Sequence, residues 1–130
     1  MAGRQIYDPN GFKNTVVDGK VVGFQFDLKH QYYRGFTLSI LRRIEPEIDG
    51  EMIPREDVRL VINGETFTLE ECRTTIDSDF RWEFSDYATV ICLKDGGLEK
   101  GKHHLKVKQV VAPSYMPFEL EHVSEIDFEI

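Results

Sequence analysis

Apolar and polar positions alternate along most of this chain. Val22, Phe24, Phe26 and Leu28 are interleaved with Val21, Gly23, Gln25 and Asp27; this two-residue period puts four apolar side chains on one face of a strand. Leu105, Val107 and Val111 repeat the pattern opposite His104, Lys106 and Lys108 in a segment running from His103 to Ala112. The longest alternation spans Phe118 to Ile130, where Leu120, Ile126, Phe128 and Ile130 stand opposite Glu119, Glu121, Glu125, Asp127 and Glu129. An acidic row of that kind solvates a strand and discourages pairing with another edge. Trp82, Phe84, Ala88, Val90 and Cys92 or Leu93 are expected to form one further strand region.

The punctuation between these runs is that of hairpins. Val58 to Ile62 leads through Asn63-Gly64 into Thr66 to Leu69, the strongest short-range hairpin signal. Asp49-Gly50 predicts a second tight turn before Glu51 to Ile53, although Pro46 interrupts the apolar positions between Leu38 and Ile48. Glu70 to Arg73 has the composition of one helical turn, and Thr74 to Asp79 reads as a loop. No segment sustains a helical period, and turn signals recur every ~8–12 residues, as in sandwiches and barrels. The expectation is an all-β, two-sheet antiparallel β-sandwich with at most one or two short helical turns. Residues 1–130 form a single domain in this reading, with 1–11 an extended arm and 119–130 an acidic C-terminal strand.

Composition narrows the functional classes. A net charge of −7 without a Lys/Arg-rich run argues against a nucleic-acid groove, whose affinity comes from clustered cations. Residues Met1 to Thr15 carry charged side chains and no apolar stretch, so neither a signal peptide nor a membrane span is expected and a cytoplasmic location is the default. Cys72 and Cys92 belong to no CxxC and no disulfide framework, and are expected to be reduced structural thiols. His30, His103, His104 and His122 lack metal-ligand spacing, and adjacent His103 and His104 would point to opposite faces of a strand. Nucleophile-elbow and phosphate-loop signatures are absent. Paired carboxylates such as Glu70-Glu71 are too abundant to mark an isolated catalytic pair.

Two aromatic clusters remain, Tyr32-Tyr33-Arg34-Gly35-Phe36 and Ser114-Tyr115-Met116-Pro117-Phe118. Tyrosine combines an apolar face with a polar tip and arginine offers a planar donor fork, the residue types enriched at contact surfaces. Turn-anchored core packing is the competing reading. Arg34 presents bidentate donors suited to a carboxylate across an interface. Trp82, the single tryptophan, reads as a core anchor rather than a sugar-stacking platform.

In order and spacing, these motifs resemble a known family. Tyr32-Tyr33-Arg34-Gly35-x-x-Leu38-Ser39, Asp49-Gly50-Glu51, Asn63-Gly64-x-Thr66-x-Thr68-Leu69-x-Glu71, Arg81-Trp82-Glu83-Phe84, Gly96-Gly97-Leu98-x-x-Gly101 and Ser114-Tyr115-Met116-Pro117-Phe118 are similar to the small, or beta, subunit of bacterial C-glycoside deglycosidases. The resemblance runs from about Phe12 to Phe118, and the tail beyond follows it less closely. It implies a β-sandwich subunit of a hetero-oligomer, assembled with a larger, sugar-isomerase-like alpha subunit of TIM-barrel fold. The implied reaction splits the carbon–carbon bond between sugar and aglycone in a C-glycoside oxidised at C3, flavonoid C-glycosides among them. A divalent metal, Mn by expectation, and the acid/base residues are implied for the alpha subunit, so no catalytic residue, metal or cofactor is expected in this chain. Tyr32, Tyr33, Arg34, Tyr115, Met116 and Phe118 become candidate contacts to the partner or to the wall of its active site. The alternative is a free-standing carbohydrate-binding sandwich stacking sugars on Tyr32, Tyr33 and Tyr115. A third reading has the domain act alone through His103 or His104 and a carboxylate.

Overall fold

A computed structural model describes residues 6–30, 35–75, 80–83, 86–113 and 117–130. The strands are β1 (Lys13–Val17), β2 (Lys20–Leu28), β3 (Phe36–Thr37), β4 (Leu41–Ile48), β5 (Glu51–Met52), β6 (Val58–Ile62), β7 (Glu65–Thr68), β8 (Arg81–Trp82), β9 (Ala88–Leu93), β10 (Lys102–Val111) and β11 (Leu120–Glu129). One short helix, α1 (Leu69–Arg73), and two 3-10 turns, Leu38–Ile40 and Arg55–Asp57, complete the described chain. The strands form a five-stranded sheet in the order β1-β2-β9-β6-β7, a four-stranded sheet β11-β10-β4-β5 and a small pair β3-β8. All pairings are antiparallel, and the expected all-β sandwich is what forms. Among the described residues no helix is long and apolar enough to cross a membrane.

Alternation explains the core. Phe24, Phe26 and Leu28 of β2 meet Leu60 and Val90 of the same sheet and Leu105, Val107, Ile44 and Ile48 of the other, all buried. At Asn63-Gly64 and Asp49-Gly50 both turn residues have positive φ, 51° and 83° in the first turn and 50° and 88° in the second. That is the twist-matching geometry of two-residue hairpins. Asp18-Gly19 makes a third such turn, between β1 and β2. Thr68 and Glu71 form a reciprocal capping box that starts α1: Thr68 Oγ1 accepts from Glu71 N at 3.1 Å, and Glu71 Oε1 accepts from Thr68 N at 2.8 Å.

Two local expectations need correction. β4 runs straight through Pro46, opposite Val107. Its carbonyl accepts from Ile53 N, so in antiparallel geometry its missing N–H also faces away from β10 and costs no ladder bond there. The expected strand from Trp82 to Cys92 divides into β8 and β9, which lie in different sheets.

The segment before β1 is packed into the fold. Tyr7 bridges to Leu28, Asp8 N donates to Asp27 O, and the Tyr7 hydroxyl reaches Ser124 Oγ of β11 at 2.7 Å. Phe12 stacks on Phe128 with ring centroids 4.1 Å apart. One segment therefore seals the open side between β2 and β11. Burial pushes the Tyr7 phenol up to about 12.

Candidate functional site

Strand directions bring four connections to one end of the sandwich. β2 ends there at Leu28 beside the start of β9 at Ala88, β6 turns there at Asn63-Gly64, and β10 leaves there at Val111 opposite the starts of β4 and β11. The described ends of the connections from Lys29 to Thr37, Phe80 to Tyr87 and Ala112 to Glu119 thus lie at this loop end. Of the six predicted contact residues, Phe118 is described and is 59% exposed. Tyr32, Tyr33, Arg34, Tyr115 and Met116 lie outside the described residues. Both clusters start and finish on fixed ground: His30 and Phe36 are buried on either side of the first, and Ala112 N donates to Ile40 O at 2.8 Å just before the second.

An aromatic knot holds these loops. His30 packs on Phe36 at 4.6 Å and meets the Trp82 ring edge-on at 5.2 Å, while Phe36 and Trp82 stand 5.9 Å apart. Trp82 is 1% exposed and donates Nε1–H to Asp86 O at 3.0 Å. It is the core anchor that the sequence suggests and offers no stacking face to solvent. Gln109, almost fully buried, donates Nε2–H to Lys29 O at 3.2 Å and ties the two sheets at the base of the loops. Lys29 Nζ in turn lies over the Tyr87 ring, 4.9 Å from its centroid. The hollow here, lined by Ile62, Asn63, Arg81, Trp82, Glu83, Asp86 and Tyr87, holds about 280 Å³. Among the described residues this is just under the usual range for a small-molecule pocket.

The sequence reading missed His30 and Gln109. For Gln109 a signal existed, because a polar residue occupies the inward register between Val107 and Val111. His30 carried no comparable mark.

A larger hollow of about 590 Å³ lies at the opposite end, lined by Asp49, Lys102, His103, His104, Asp127, Phe128 and Glu129. His103 Nδ1 meets Asp49 Oδ2 at 2.6 Å and its Nε2 meets Glu99 O at 2.7 Å. His104, on the other face, lies between Asp127 at 2.6 Å and Glu125 at 2.7 Å. Carboxylates and carbonyls only accept, so these contacts favour the protonated form of both rings. The His103 pKa is raised, first by the Asp49 hydrogen bond, and that of His104 is raised, first by Asp127. Each ring is engaged at both nitrogens by acceptors of this chain. Cys72 and Cys92 are buried free thiols, with Cys72 pushed up to about 12 by burial and Cys92 higher still; neither is a nucleophile. Among the described residues no group of three or more His, Cys, Asp or Glu is placed to hold a metal ion.

The Asp49–His103 pair predicts a pH signature. His103 is raised above 6.5, so its contribution is complete below 6.5 and is lost as pH rises through the folded value. Asp49 is lowered below 3.8, chiefly by the His103 hydrogen bond; its contribution is complete above 3.8 and is lost as pH falls through the folded value. The Tm deficit of His103→Asn relative to the unaltered chain is therefore expected to be largest between 3.8 and 6.5 and to shrink on either side. A deficit that is flat from about pH 4 to 9 would exclude the pair as a titrating contact.

Comparison with known proteins bears directly on this geometry. The family described as C-glycoside deglycosidase beta subunit matches residues 2–115, which takes in every loop-end connection up to Tyr115 and leaves β11 outside. A C-glycoside deglycosidase beta subunit of Eubacterium cellulosolvens is 36% identical over 117 residues, 88% of this chain and 77% of that protein. Another, from Microbacterium trichothecenolyticum, is 34% identical over 65 residues, half of this chain and 47% of that protein. With the match running through both sheets and the loops gathered at one end, the chain belongs to the C-glycoside deglycosidase beta subunit family.

Proposed function

We propose that this chain is the non-catalytic beta subunit of a heteromeric enzyme that cleaves the carbon–carbon bond of 3-oxo-C-glycosides. In this reading it assembles through its loop end with a larger, metal-dependent alpha subunit of TIM-barrel fold. Membership of a beta-subunit family implies a partner subunit. The observation that carries the reading is the loop end itself: connections anchored by Trp82, His30 and Gln109, with an exposed Phe118 beside a hollow of about 280 Å³.

The chemistry is consistent with that division of labour. A ketone at C3 of the sugar acidifies the C2 proton, and loss of that proton allows elimination of the aglycone carbon, which must be protonated as it leaves. A divalent metal in the alpha subunit would stabilise negative charge near the ketone. His103 and His104 have acceptors on both ring nitrogens, and the cysteines are buried free thiols. What the chain supplies in this reading is a wall: tyrosine, methionine and phenylalanine at its loop end excluding water from the partner's site and orienting the aglycone.

Co-expression with the alpha subunit tests the reading. A stable complex is expected, with turnover of a 3-oxo-C-glycoside by the complex and none by this chain alone. Arg34→Ala is expected to weaken assembly, seen by sedimentation, by more than it shifts the Tm of the isolated chain. A chain that stays a folded monomer beside the alpha subunit, or that turns over the substrate alone, would overturn the proposal.

A further inference from the structure

Four arginines converge beside the loop end from three distant parts of the chain. Val110 opposes Arg43 and Val111 opposes Leu41, so Arg42 is the extra residue of a β-bulge at the start of β4. A bulge bends its strand and re-aims the side chains beside it. Arg55 comes from the 3-10 turn after β5, and Arg73 from the last position of α1. With Glu70 and Glu119 these four line a groove of about 370 Å³. Four guanidinium groups facing two carboxylates make it a cationic feature on a chain whose net charge is −7.

The internal pairing of these arginines is incomplete. Arg55 is satisfied: Nε donates to Glu70 Oε1 at 3.1 Å and Nη1 to Arg42 O at 3.0 Å. Arg42 donates Nη1–H to Ser39 O at 2.9 Å, a neutral acceptor. Arg43 stands 3.7 Å from Glu121, 3.9 Å from Glu119 and 4.0 Å from Glu45, all beyond hydrogen-bond length, and its Nε is buried with no hydrogen-bond partner among the described residues. Arg73 has no ion pair among the described residues. Guanidinium forks left in this state are matched by planar carboxylates, which accept two parallel N–H bonds.

We infer that this groove receives an acidic segment of the alpha subunit, with side-chain carboxylates held by Arg42, Arg43 and Arg73. The inference rests on the subunit reading given above and extends it to a second contact, continuous with the loop end through Leu38–Ile40 and Glu119. A carboxylate segment fits better than a phosphate because Glu70 and Glu119 share the groove, and a dianion meets more repulsion from them than single charges spaced along a peptide. A nucleic acid would have to approach a strongly acidic surface to reach four cations.

The test is titration of the alpha subunit with this chain, unaltered and as Arg42→Gln/Arg73→Gln, at about 0.05 M and about 0.5 M NaCl, where screening lengths differ about threefold. The double variant is expected to lower the Tm of the isolated chain only by the loss of the Arg42–Ser39 hydrogen bond, and to raise the Kd about tenfold or more at low salt, the scale of interface arginines. It is also expected to flatten the salt dependence. Arg73→Gln alone, at a position with no ion pair among the described residues, separates lost contact from lost folding and is expected to account for part of the change. Unaltered affinity and salt slope in both variants, with the wild-type complex intact, would overturn the groove and leave the subunit reading standing. No complex with the wild-type chain would overturn both. If inorganic phosphate raises the Tm of the wild type and not of the double variant while assembly is indifferent to the variant, the groove is a small-anion site and the inference fails.

Discussion

Trp82→Ala is expected to lower the stability of the chain by about 3–5 kcal/mol and to abolish partner binding at temperatures where the variant stays folded. The indole fills the space between His30 and Phe36 and is 1% exposed, so truncation removes its buried area and leaves a cavity at the root of three loops. β8 is only Arg81–Trp82, paired to Phe36 and Thr37 of β3. So short a pair owes its position to the ring packed beneath it rather than to its few hydrogen bonds. Trp82→Phe separates the contributions. It keeps most of the ring packing but leaves the Asp86 carbonyl without its donor, for an expected cost of about 1–3 kcal/mol. Because Trp82 is the single tryptophan, unfolding must be followed in denaturant by circular dichroism. If Trp82→Ala costs less than about 1 kcal/mol, the knot is not what fixes the loop end.

Legibility in the sequence followed the local physics. Asn63-Gly64 and Asp49-Gly50 were readable because two-residue hairpins demand positive φ at both turn residues, and few residue types provide it. α1 was readable as a helical turn, though the Thr68–Glu71 box starts it at Leu69, one residue earlier than Glu70 suggests. β1 was not readable, for Val16 and Val17 are 59% and 51% exposed and only Thr15 points inward, so its apolar residues mark no face. Pro46 misled because a strand tolerates proline wherever the missing N–H faces away from the neighbouring ladder, and the sequence does not reveal which side that is. Trp82 and Val90 looked like one strand since both are inward-facing aromatic or aliphatic residues; the break between them moves the chain from one sheet to another.

The candidate site divides the same way. Resemblance in motif order pointed to the family, and of the six candidate contact residues Phe118 is described and is exposed at the loop end. The groove of Arg42, Arg43, Arg55 and Arg73 had no sequence signature, because spacings of 1, 12 and 18 residues match no period of helix or strand. Only the β4 bulge and the packing of α1 against β4 bring those side chains together.

Gly23→Ala is expected to be the most damaging single-methyl change in the five-stranded sheet, costing about 3 kcal/mol or more. Thr15 and Leu93 flank Gly23 from β1 and β9. On the β1 side the register shifts, with Thr15 opposite Gly23 and Val16 opposite Val21, so Val22 is an extra residue of β2. Such a bulge adds twist and draws neighbouring backbones together, which is why a lone glycine within a strand marks close approach. A Cβ at this position would run into the Cys92 carbonyl oxygen, with the Cys92 carbonyl carbon and Leu93 Cα both at 3.0 Å. All three obstacles are backbone atoms, so no rotamer change relieves the clash and β2 must separate from β9. Gly64→Ala is the contrast: its added methyl meets nothing within 4 Å and the cost comes from φ of +83° alone, about 1–2 kcal/mol. Urea unfolding of the two variants should rank them in that order, with Gly23→Ala also losing the slowest-exchanging amides of β2 and β9. Equal midpoints would mean that the β2–β9 ladder absorbs a methyl by sliding, and that the bulge at Val22 is a soft joint rather than a fixed bend.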